Sequence, residues 1–113
     1  MAKTSVNFKT ETQLGLAATA LTGNATAETQ NIVLAVTFFN QSTTLIETVK
    51  LYRYATASGI SDNALIVEKQ IFPRRTWNCV EAQGKVIENG YSLGATTTTA
   101  ATVNAECDGI ISS

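Results

Sequence analysis

Glu106 and Asp108 form the one pattern in the chain that could divide acid and base roles, because residues two apart on a strand share a face. Acids alternating with Val103, Ala105 and Cys107 are also the ordinary composition of a solvent-facing strand surface, and that reading is preferred. The sequence contains no histidine, which removes the usual base for a serine or cysteine nucleophile. It carries no P-loop, dinucleotide fingerprint, EF-hand loop or CxxC pair. The expectation is a protein that is not an enzyme and needs no cofactor.

Cys79 and Cys107 are the only thiols, too few for a structural zinc site, which wants four N or S ligands. Each falls in an apolar stretch and reads as a small buried hydrophobe, with a disulfide left open by the sequence. Tyr52, Tyr54, Trp77 and Tyr91 could form an aromatic platform for sugar. The alternative has Trp77 and Tyr91 capping the core, while Tyr52 and Tyr54, with Arg53 between them, make protein contacts, where Tyr and Arg are enriched. Arg74 and Arg75 beside Pro73 read as a solvated corner or an interface ion pair. Asn24-Ala-Thr26 and Asn40-Gln-Ser42 match the glycosylation pattern but are read as chance in a chain so rich in Asn and Thr.

A chain of 113 residues suits one core and one domain. Its charged fraction of 15% is low against the roughly 25% usual in soluble domains, so much of the surface is expected to meet other protein. A net charge of −1 offers no long-range attraction for nucleic acid. No stretch approaches the roughly 20 apolar residues of a membrane span. Lys3, Lys9, the run from Leu14 to Leu21 and Ala25-Thr26-Ala27 imitate a signal peptide, a reading rejected because the run is Ala/Thr-rich and Glu11 adjoins it.

The elements that must position these residues read as strands and turns, since no window sustains a helical apolar stripe. Ser5 to Lys9 reads as a first strand or an arm, and the expected strands after it are Gln13 to Thr22, Asn31 to Phe39, Glu47 to Tyr54, Ala64 to Ile71, Thr76 to Val80, Gly84 to Ile87, Tyr91 to Thr96 and Thr102 to Ile111. Asn31 to Phe39 places Ile32, Leu34, Val36 and Phe38 on one face and Val33, Ala35, Thr37 and Phe39 on the other, as in a central strand covered on both sides. Asn89-Gly90 has the composition of a type I′ turn, and Pro73 should stop its strand for want of an N–H. About eight short strands at near-regular spacing suggest an all-β antiparallel sandwich or jelly roll. The division expected is an extended N-terminal arm over residues 1–12, polar and without a core pattern, and one β-sandwich domain over 13–113.

Residues 30 to 111 resemble a broad group of small virion proteins of tailed bacteriophages. The likeness lies in Leu65-Ile66-Val67, in the segment Gly84 to Leu93 with its Val86-Ile87-Glu88-Asn89-Gly90, and in the Thr/Ala-rich stretch Ala95 to Ile110. The chain departs from that group at Tyr91, a position often acidic there, and in the weakly apolar Gln13 to Thr22. Proteins of this kind decorate capsids or serve as head fibres and tail or neck components. The resemblance implies a capsid decoration (cement) protein on the outer shell, bound to the major capsid protein and associated with itself as a dimer or trimer. On this reading the contact residues are Phe8 in the arm, Tyr52, Arg53 and Tyr54 on an outer strand, and Arg74 and Arg75 at the corner. Val33 and Phe39 offer a second, apolar face for self-association. The rival from another class is a carbohydrate-binding module or adhesin.

Overall fold

Thr, Val and Ile in short runs build strands here because branched side chains pack on a pleated surface and restrict the backbone to it. The computed structural model describes residues 3–24 and 28–112. Among these residues nine strands run in chain order: β1 (Lys3–Gln13), β2 (Thr19–Asn24), β3 (Gln30–Asn40), β4 (Glu47–Ala55), β5 (Leu65–Ile71), β6 (Thr76–Asn78), β7 (Val86–Ile87), β8 (Tyr91–Thr97) and β9 (Val103–Ser112). Among the described residues the only helices are single 3₁₀ turns at Asp62–Ala64 and Val80–Ala82. The strands form two antiparallel sheets, one in the order β1-β9-β3-β6 with β7 also on β3, the other in the order β2-β8-β4-β5. Leu14, Leu21, Phe38, Leu51, Ile87, Leu93 and Val103 fill the space between them, with Trp77 and Tyr91 packed at its margin.

Among the described residues the chain is doubled back on itself. Lys3 faces Ser112, Asn24 faces Tyr91, Phe39 faces Thr76 and Leu51 faces Val67, and the midpoint of every such pair falls between residues 57 and 59. The fold point is the β4–β5 loop, where Gly59 takes a φ of 74°, a conformation closed to most L residues. β1 pairs β9, β2 pairs β8, β3 pairs β6 and β7, and β4 pairs β5, so a single long hairpin wraps into two layers.

Two expectations from the sequence are corrected by this architecture. The described part of the N-terminal segment is not an arm: β1 is the edge strand of the first sheet, paired to β9 from Lys3 to Gln13. Its polar composition is that of an edge, where one row of backbone groups faces solvent and charged residues discourage further pairing. The faces of β3 also differ from simple alternation. Val33 pairs with Gly109 and Ala35 with Asp108, which leaves Leu34 as the extra residue of a bulge. Val33 and Val36 therefore both point into the core, whereas Leu34 is 47% exposed.

Phe8 is the extra residue of a matching bulge on the other side of β9, between Asn7↔Asp108 and Lys9↔Cys107. A Cβ at Gly109 would overlap both the Phe8 ring and the Ile32 carbonyl oxygen, so the glycine admits both neighbours. The Asn89-Gly90 turn differs too. Among its residues Gly90 alone has positive φ, at 87°, and the Tyr91 amide donates to the Glu88 carbonyl at 3.0 Å. That is the pattern of a type II turn, and it suits a connection that crosses from β7 in one sheet to β8 in the other.

Candidate functional site

Four connections meet at one end of the sandwich: residues 14–18, 41–46, 72–75 and 98–102, which follow β1, β3, β5 and β8. Two buried polar side chains knit them together. Asn40 ends β3 with no exposed surface, and its amide Nδ2 donates to the carbonyls of Leu45 at 2.8 Å and Ile71 at 2.9 Å while its Oδ1 accepts from the Ser42 amide. Its backbone N–H donates to the Arg75 carbonyl, and its carbonyl accepts from the Arg74 amide. One asparagine thus ties the β3–β4 loop to the β5–β6 turn.

Glu47 opens β4 at 1% exposure. Its Oε1 accepts from the hydroxyls of Thr97 at 3.0 Å and Thr98 at 2.9 Å and from the Thr99 amide at 2.8 Å. Burial alone would raise this carboxyl, but the hydrogen bonds from Thr98, Thr97 and Thr99 together outweigh it and hold the group below its ordinary value of 4.5. The Thr97-Thr98-Thr99 run is thereby the cradle of a buried charge. The Ala101 amide reaches the Leu14 carbonyl and the Gln41 amide reaches the Thr102 carbonyl, which closes the circuit of loops.

This braced end presents Leu16 at 66%, Leu45 at 47%, Ile46 at 49% and Phe72 at 56% exposure, half of the exposed large hydrophobics among the described residues. No acidic residue lies in the four connections, and their only charges are Arg74 and Arg75. Arg74 holds φ at 59°, in the left-handed region, with its guanidinium 5.1 Å from the centre of the Phe39 ring and Nη1 donating to the Gln41 carbonyl. Apolar groups held out on rigid loops bind other protein at little ordering cost.

The residues expected to make contacts are dispersed. Phe8 is half-buried against the core, and Val33 is fully buried, which removes it from any self-association face. Phe39 lies half-buried on the outer side of its sheet beneath Arg74. β4 is not an outer strand but lies between β8 and β5. Tyr52 is buried at 6% exposure, and the Tyr54 ring rests against Gly94. Arg53 braces one sheet against the other, since its Nε donates to the Val86 carbonyl at 3.0 Å and its guanidinium sits 4.6 Å from the centre of the Tyr91 ring. Arg74 and Arg75 are exposed at the β5–β6 turn and belong to the loop end. Sequence reasoning missed Asn40, Glu47, Leu45, Ile46 and Phe72. The available signal was apolar residues set in loops rather than strands.

The carboxylates and thiols have structural surroundings. Asp108 accepts from the Asn7 side chain, and Glu106 is exposed one pleat away. Among the described residues no three His, Cys, Asp or Glu side chains come together as a metal site. Both thiols are free and buried. The Cys79 amide donates to the Val36 carbonyl at 2.9 Å, and Val36 pairs with Cys107 on its other side. The two cysteines therefore flank β3, about two strand spacings or 9–10 Å apart, beyond the roughly 7 Å limit for a disulfide. The Asn40 amide is fully engaged and enclosed, which removes that glycosylation pattern, and Thr26 of the other lies outside the described residues.

No family model, curated protein or solved structure matches the chain.

Proposed function

We propose that this chain is a structural protein of a tailed bacteriophage particle, and within it a capsid decoration protein that docks by its braced loop end. The single observation that carries the reading is that end, with Leu16, Leu45, Ile46 and Phe72 exposed on loops locked by Asn40 and Glu47 and no acid among them. On this reading the partner is the major capsid protein, presenting apolar groups and carboxylates to meet Arg74 and Arg75. The nested strand pairing supports a jelly roll as the finer description of the fold, a form that recurs in viral capsid and lectin domains. Fold alone does not give function, so the weight rests on the loop end.

Decoration works through avidity. A modest contact repeated over a lattice, each copy touching more than one neighbour or pairing as a dimer or trimer, holds far better than any single contact. The long axis of 47 Å would stand the molecule off the outer shell, with the end face of about 27 × 19 Å as its footprint.

The deciding experiment is quantitative mass spectrometry of purified particles. A ratio to the major capsid protein within a few-fold of one is expected. About a dozen copies per particle would move the protein to a neck or tail ring, and absence from particles would end the virion reading.

A further inference from the structure

β5 is a free edge of one sheet and β6 a free edge of the other, and between them lies a cavity of about 470 Å³. Lys69, Gln70, Phe72, Arg75, Thr76 and Trp77 line it, with Ile71. The Trp77 ring stacks on Phe38 at a centroid distance of 5.2 Å and an angle of 22°, so the core holds it in place while part of it stays accessible. Among the described residues the one ion pair is Lys50 with Glu68, so neither Lys69 nor Arg75 is neutralised by a carboxylate. The groove therefore combines two aromatic rings, two unpaired cations, an amide and a hydroxyl.

We propose that this groove binds an acidic saccharide. Trp and Phe rings offer flat apolar surface to the C–H face of a pyranose, and Gln70 and Thr76 supply the few polar groups that orient a ligand. Lys69 and Arg75 answer a sugar carboxylate, with Arg able to bind it in bidentate fashion. The cavity volume falls within the roughly 300–1,000 Å³ of small-molecule sites. A peptide adding as a strand to β6 is less suited, because β6 is three residues long and offers little edge to extend, and one adding to the seven-residue edge of β5 is what the acidic hexapeptide below tests. A polynucleotide is less suited, because a net charge of −1 lacks the basic track that follows phosphates.

Trp77 is the only tryptophan, so in the folded chain all tryptophan emission comes from a ring that lines this groove. The full chain is titrated with trigalacturonate and with 3′-sialyllactose, then with galactotriose and lactose as neutral counterparts, followed by fluorescence and calorimetry on the same samples. A saturable response to at least one acidic sugar at or below millimolar concentration is expected, with none to its neutral counterpart. The Lys69→Gln/Arg75→Gln double variant should lose at least tenfold in affinity while keeping its urea midpoint. Silence to both acidic sugars by both methods overturns the proposal, as does an equal response to the neutral ones. A stronger response to an acidic hexapeptide or to a thymidine decamer also overturns it. The groove shares Phe72 and Arg75 with the loop end, so the free chain is the form titrated; the saccharide proposal does not rest on the virion reading, which stands or falls on copy number.

Discussion

Glu47 shows how a single residue can carry the pH response of the fold. Its folded-state pKa lies below the ordinary 4.5, so its contribution is complete above that value and is lost as pH falls from there through the folded pKa. Glu47→Gln removes the charge from three hydrogen bonds and should cost about 1.5–3 kcal/mol at pH 7. Urea denaturation at pH 7 and pH 3 checks this: the variant should unfold earlier at pH 7, and its deficit should shrink at pH 3. The thiols make a second residue-scale case. Burial pushes Cys79 up to about 11 and Cys107 up to about 12, with Asp108 adding to the second. Few thiolates exist at neutral pH. Ellman's reagent should find both thiols slow in the native protein, and two fast-reacting thiols in denaturant without any reductant.

At the scale of elements, β9 is held between two bulges, and the glycine between them is the point of least tolerance. Gly109→Ala would drive a methyl group against the Ile32 carbonyl, a backbone atom that cannot swing aside as a side chain can. The expected cost is about 3 kcal/mol, at the upper end for overpacking, read as a fall in the urea midpoint. Phe8→Ala should not rescue it, because only one of the two clashes is with Phe8. The bulges also mark where sequence reading ran out. Strands β3, β4, β5, β8 and β9 were legible in runs such as Val49-Lys50-Leu51 and Val103 to Gly109, because alternation follows from the pleat. An inserted residue leaves no mark in a strand as uniformly apolar as Asn31 to Phe39, so Val33 was placed on the wrong face. β1 was legible as polar, but an edge strand and a free arm share that composition. The loop end was hidden for a different reason: Asn40 and Glu47 look like surface residues, and only the approach of distant loops turns them into braces.

At the scale of the whole molecule, the nested pairing dictates an order in which contacts become affordable. Closing β4 on β5 spans only the loop around Gly59, whereas closing β1 on β9 first would enclose almost the entire chain. Loop closure grows costlier with length, so pairs near the fold point should form before those far from it. Once β4 and β5 are joined, each further pair encloses only a short new loop, and the chain closes outward from the middle. Leu51, on β4, and Val103, on β9, are both fully buried and separate the two ends of that sequence. Leu51→Ala should cost about 2–5 kcal/mol, chiefly as slower folding, while Val103→Ala should act chiefly by speeding unfolding. Stopped-flow urea chevrons followed by Trp77 emission make the comparison, with refolding expected between milliseconds and seconds for so non-local a fold. If Val103→Ala slows folding as much as Leu51→Ala does, relative to their stability losses, the sheets assemble together and the order of closure proposed from the nested pairs is wrong.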